Sequence, residues 1–148
     1  NDNNIYSVYI GGGAQLPSPP NMLYRGQVMH EDIPLFLNAS DVFVLPTLAE
    51  GCCNAIIEAM ACGLPIISSD LPFNWDVLDS SNSILIDPSS ITQISEAIIK
   101  VKDDELLRER LSEGALKTAQ SLTIDRRASN ILSFIKKRCE KIDNKLNY

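Results

Sequence analysis

The sequence predicts an α/β domain, a Rossmann-like parallel sheet flanked by helices on both faces. Three observations carry that prediction. Short apolar runs alternate with helical patterns along the chain. Those runs are continuously apolar rather than alternating, which marks strands buried on both sides. Strands separated by single helices imply right-handed crossovers and hence parallel pairing.

The elements follow in order. YSVYIGGG (6–13) reads as a buried strand ending in a glycine turn. GAQLPSPPN is a loop, because three prolines cannot sustain a hydrogen-bonded ladder. MLYRG (22–26) is a short second strand, and residues 31–39 are helical with Ile33, Phe36 and Leu37 on one side. Pro34 falls in the first turn of that helix, where its missing N–H does no harm. DVFVLP (41–46) is a third strand stopped by Pro46.

Residues 52–62 form a helix closed by Gly63 and Pro65. LPIISS (64–69) and SILIDP (83–88) are the fourth and fifth strands. Ile91, Ile94, Ile98 and Val101 then share one helical face, as do Leu107, Leu111 and Ala115. Thr123 or Asp125 caps a last helix whose apolar face is Ala128, Ile131, Leu132, Ile135, Cys139 and Ile142. Ligands of such sheets sit beyond the carboxyl ends of the strands, which directs attention to residues 11–15, 26–30, 46–54 and 68–76.

A length of 148 residues fits one domain, 1–148, with 123–145 as its C-terminal helix. No apolar run reaches the ~18 residues that a membrane span requires. Cys52, Cys53, Cys62 and Cys139 do not have the spacing of a disulfide framework, so a reducing, cytoplasmic setting is expected. His30 is the only histidine, and no Cys or His pair has zinc-ligand spacing, so no metal is expected.

Charge is distributed unevenly. Residues 1–99 hold eleven acids against the single base Arg25, a balance of −10, whereas residues 100–148 hold twelve bases against eight acids, a balance of +4. The acidic stretch excludes nucleic acid as a partner, since that needs Lys and Arg across the binding face. The basic tail, with Lys136, Lys137, Arg138, Lys141 and Lys145, is read as a solvated helix face. A membrane surface, met from the cytoplasmic side, is the alternative.

The stretch 46–70 carries the chemistry. Glu50 lies in the loop leaving the third strand, Gly51 follows, and a helix begins near Cys52. A helix N-terminus offers free N–H groups and a positive dipole end, which favour a phosphate. Glu50 precedes that end, and Glu58 lies two turns into the helix. A carboxylate is a natural bidentate acceptor for two adjacent hydroxyls, as in a ribose. Few bases precede Lys100 to pair with Glu58, and unpaired acids are seldom kept inside without a use.

EGCCNAIIEAMACGLPIISS resembles the signature of retaining glycosyltransferases of family 4, the "glycosyl transferases group 1" class. Their pattern is Glu, seven residues, Glu, then Ala-Met-Ala-x-Gly-x-Pro, matched here by Glu50, Glu58, Ala59, Met60, Ala61, Gly63 and Pro65. The likeness extends through Gly11 to Gly13, Gly26 with Val28, ASDVFVLPT (39–47) and the helical tail. It implies the C-terminal, donor-binding half of a GT-B fold lacking its first β-α unit.

By the same resemblance Glu50 is the catalytic-site acid that binds donor-sugar hydroxyls, and Glu58 binds the ribose. The backbone of Gly51, Cys52, Cys53 and Asn54 faces the sugar or diphosphate, Gln27 and Val28 border the base, and Gly12 and Gly13 line the first glycine turn. The resemblance implies a UDP- or GDP-linked sugar as donor, no separate cofactor, and retention at the sugar. It also implies an N-terminal acceptor domain, and an Arg and Lys clamp from the first unit, both outside this chain. The isolated chain is then expected to bind donor weakly without turnover.

Other assignments are plainer. Cys52 and Cys53 read as small fillers, His30 as a helix-start residue and Trp75 as a core residue. Pro72 and Phe73 stand where the family often has glycines, and Asp76 where it usually has Glu. Two rivals are a sugar-nucleotide epimerase of the same architecture and a non-catalytic nucleotide-binding module such as a receiver. The first wants more carboxylates and a histidine near the donor. The second wants acids after the first strand and a Lys after the last, and neither is present.

Overall fold

The computed structural model describes residues 4–12, 19–50 and 54–146. Its contacts divide into two compact units, Asn1–Ala39 and Ser40–Tyr148.

In the first unit, β1 (Ser7–Ile10) pairs in parallel with β2 (Met22–Gly26), with Ser7 opposite Met22 and a bulge between Tyr9 and Ile10. Tyr9 and Tyr24 stack with ring centroids 5.7 Å apart. The Tyr24 hydroxyl donates to Gly11 O at 2.9 Å, and Gly11 N donates to Gly26 O at 2.9 Å. Both glycines have positive φ, +139° and +68°, so this pair of strand ends turns where side chains are disfavoured. A 3-10 turn, His30–Asp32, leads into α1 (Ile33–Asn38). The helix is shorter than expected, carries Pro34 in its first turn and buries Leu37. Arg25 lies over the Phe36 ring, 5.5 Å from its centroid.

The second unit holds β3 (Phe43–Leu45), β4 (Ile66–Ser69) and β5 (Ser83–Ile86), parallel and in that spatial order. Strand β4 is central, and all four of its residues are buried, as its unbroken apolar start predicts. Helix α2 (Asn54–Ala61) links β3 to β4 and buries Ile56, Ala59 and Met60. It ends as Gly63 predicts: Gly63 has φ +75°, its N–H bonds to Met60 O at 3.0 Å, and Leu64 N–H bonds to Ala59 O at 3.0 Å.

Helix α3 (Ile91–Asp103) is capped by Ser90, which accepts from Gln93 N, and α4 (Glu105–Ser121) by Asp104, which accepts from Leu107 N at 2.9 Å. Ile67, Ile86, Ala97, Val101 and Leu111 form the core between sheet and helices, with Ile94, Ile98 and Leu107 packed around it. Thr123 caps α5 (Ile124–Leu146), accepting from Arg126 N at 3.4 Å.

Four expectations are corrected. Strand β1 is not buried: Ser7, Val8 and Tyr9 are exposed and Ile10 is half-buried, because only β2 pairs with it in its two-stranded sheet. Strands β4 and β5 are joined not by a helix but by a chain of turns, in which Leu78 is a buried plug. Ile91 does not share the buried face of α3: it is the first helical residue and 85% exposed, beyond the reach of the sheet. The apolar face of α5 is not covered within its unit, since every residue from Ile124 to Glu140 is exposed.

Candidate functional site

The turn between β3 and α2 positions the two predicted acids. Thr47 N–H folds back to Leu45 O at 3.1 Å, and the Thr47 hydroxyl donates to Ala49 O at 3.2 Å, so the chain curls immediately before Glu50. Glu50 is exposed. Glu58 stands on the second turn of α2 and is half-buried, beside the buried Ala59 and Met60. Neither carboxylate forms a hydrogen bond or ion pair with another described residue. Asn54 opens α2 and is exposed. Gly51, Cys52 and Cys53, the expected backbone donors at the helix start, lie outside the described residues, as does Gly13.

In the other unit, Gly12 follows β1, and Gln27 and Val28 follow β2. These parallel strands bring Gly12 and Gln27 together: a Cβ on Gly12 would lie 3.9 Å from the Gln27 side-chain amide nitrogen. Gln27 is exposed and Val28 half-buried. His30 begins the 3-10 turn and is exposed, as its helix-start reading requires.

Trp75 departs from expectation. It is 58% exposed rather than in the core, and its indole N–H donates to Asp70 Oδ1 at 2.8 Å. The residue that fills the buried place in that loop is its neighbour Asn74, 3% exposed. Asn74 Nδ2 donates to Ser69 O at 2.8 Å and to Ser68 Oγ at 3.2 Å. Ser68 Oγ donates to Leu45 O at 2.8 Å, and Ser69 Oγ donates to Thr47 O at 2.5 Å. Sequence reasoning missed all three residues. The available signal was two hydroxyls at the end of a strand otherwise buried on both faces, where each polar group must find a partner.

The glycosyl transferases group 1 family matches residues 14–118, which takes in both glutamates and the β3–β4–β5 sheet. The chain belongs to that family. A UDP-Gal:alpha-D-GlcNAc-diphosphoundecaprenol alpha-1,3-galactosyltransferase of Escherichia coli is 43% identical over 77 residues, 51% of this chain and 20% of that protein.

Among solved structures, sucrose-phosphate synthase from Thermosynechococcus elongatus superposes with a TM-score of 0.70 at 23% identity, over 82% of this chain and 31% of that one. Anabaena Alr3699/HepE, solved with UDP and glucose, gives 0.68 at 22% identity, over 77% and 32%. These neighbours fix the fold as the α/β architecture of GT-B glycosyltransferases. The chain spans about a third or less of the relatives and solved chains it matches.

Proposed function

We propose that this chain is the donor-binding domain of a retaining glycosyltransferase, which moves a sugar from a nucleoside diphosphate to a hydroxyl of a glycan or lipid. The observation that carries the reading is the Glu50–Glu58 pair: one exposed acid on the β3–α2 turn, one half-buried acid on the second turn of α2, both without an ionic partner among the described residues.

In this reading the start of α2 receives the diphosphate through its dipole and free N–H groups. Glu58 accepts from the ribose hydroxyls and Glu50 from the donor sugar. The reading calls for no separate cofactor. Catalysis is then mostly positioning and electrostatic stabilisation of the departing diphosphate. A UDP-linked sugar is supported by the UDP-Gal donor named for the E. coli relative and the UDP held by the Anabaena protein, and a GDP-linked one by the GDP-mannose named for a Corynebacterium glutamicum mannosyltransferase. Polysaccharide assembly is supported by relatives named for O-antigen and capsular polysaccharide.

The acceptor is bound by another part of a longer transferase, which supports two further expectations. The bare apolar face of α5 packs against that part, and the 148-residue chain does not turn over alone. Seven bases against three acids on α5 favour an anionic membrane as its second contact. Sedimentation with anionic vesicles separates the two.

A thermal-shift panel of UDP, GDP and their sugars tests the donor site. A saturating donor raises the midpoint by mass action, and Glu58→Gln abolishes most of the rise without lowering the unliganded midpoint. No shift with any nucleotide would sink the reading, as would sugar transfer by the isolated chain.

A further inference from the structure

The buried polar groups at the carboxyl ends of β3 and β4 form one connected chain. It starts at Asn74, 3% exposed, passes through Ser68 and Ser69, both fully buried, and ends on Leu45 O and Thr47 O. From Thr47 the hydroxyl carries it on to Ala49 O, the carbonyl directly before Glu50. A central strand buried on both faces is ordinarily aliphatic to its end. Here its last two residues are serines whose hydroxyls reach the segment leading into the Glu50 turn. Glu58 is held in another way, by the buried Ile56, Ala59 and Met60 of its own helix.

We infer that Ser69, braced by Asn74, is a positioning residue that sets the Thr47–Glu50 turn and thereby the grip on the donor sugar, separately from the grip on the nucleotide. This rests on the donor-binding reading above. Ser69 does not touch the substrate. Its hydroxyl fixes the Thr47 carbonyl, and the Asn74 amide fixes the Ser69 carbonyl, so the turn cannot drift relative to the sheet. Loosening that turn blurs where the Glu50 carboxylate stands while leaving α2 and Glu58 in place.

The test is the pair of dissociation constants for UDP and UDP-galactose, and for GDP and GDP-mannose, measured on the chain by ligand-observed NMR. Ser69→Ala should weaken the nucleotide sugar about three- to tenfold, the value of one net hydrogen bond. The nucleoside diphosphate should stay within about twofold. Ser69→Thr, which keeps the hydroxyl, should restore the ratio. If Ser69→Ala does not fold, Asn74→Ala is read in the same way, and the Ala49 and Glu50 amide resonances should move while those of α2 do not. A parallel loss for nucleotide and nucleotide sugar, or no change in either, overturns the positioning role and leaves the donor reading standing. No affinity of the unaltered chain for any of the four removes the donor reading and this inference with it.

Discussion

Helices α4 and α5 follow one another in the chain, and each carries apolar residues at helical spacing. In α4 that stripe is buried: Leu111 and Ala115 are fully covered, and Ala119 nearly so. In α5, Ile131, Leu132, Phe134 and Ile135 are at least half exposed. A second contrast lies in how the helices are tied to the rest of the unit. From α4, Ser112 Oγ donates to Gly63 O at 2.6 Å, Arg110 donates to Ser80 O at 2.7 Å, and Thr118 Oγ1 accepts from the buried Asn82 amide at 3.1 Å. The apolar period specifies that a face exists. It does not specify what covers the face, because cover comes from another element.

The contrast can be broken by mutation. Leu111→Ala should have the largest effect, about 2–5 kcal/mol of lost stability, because it removes a fully buried side chain from the core. Chemical denaturation measures it. Gly114→Ala should come next. A Cβ there would sit 2.1 Å from the Ser81 carbonyl oxygen, a contact that backbone must move to relieve. Overpacking of this kind costs about 1–3 kcal/mol, and an unchanged midpoint would show that α4 is not seated as tightly as its hydrogen bonds imply.

Ile135→Ala should cost less than about 0.5 kcal/mol in this chain, because half of the side chain is already in water. A loss comparable to that of Leu111→Ala would mean that the α5 face is covered after all.

The smallest effect concerns Asp79, in the turns before β5. The Ser81 hydroxyl and backbone N–H donate to its carboxylate and hold its pKa below the ordinary 3.8. A lowered native pKa adds stability above pH 3.8 that is lost as pH falls through the lowered value. Asp79→Asn should therefore sit slightly below the parent in melting temperature at pH 7 and converge with it in acid. The group is largely solvated, which keeps the difference small.

Local signals made much of the molecule readable. Strand 22–26, the Gly63 helix stop and the Thr123 cap all came from residue types whose conformational preferences act over a few positions. The Glu50–Glu58 spacing was legible for the same reason, since a turn and two helical turns are local geometry. Trp75 and Ile91 were misplaced because burial is a property of neighbours distant in sequence. Large apolar side chains look alike whether or not such neighbours arrive.

The sequence alone thus determined most of the strands and helices and the family, since each rests on period, caps or a contiguous motif. Only the tertiary structure decided that Asn74 rather than Trp75 enters the interior, that Gly114 must remain small beneath Ser81, and that α5 keeps its apolar face uncovered within its unit. Each of these depends on which atoms meet across long separations in the chain, and no local preference encodes that meeting.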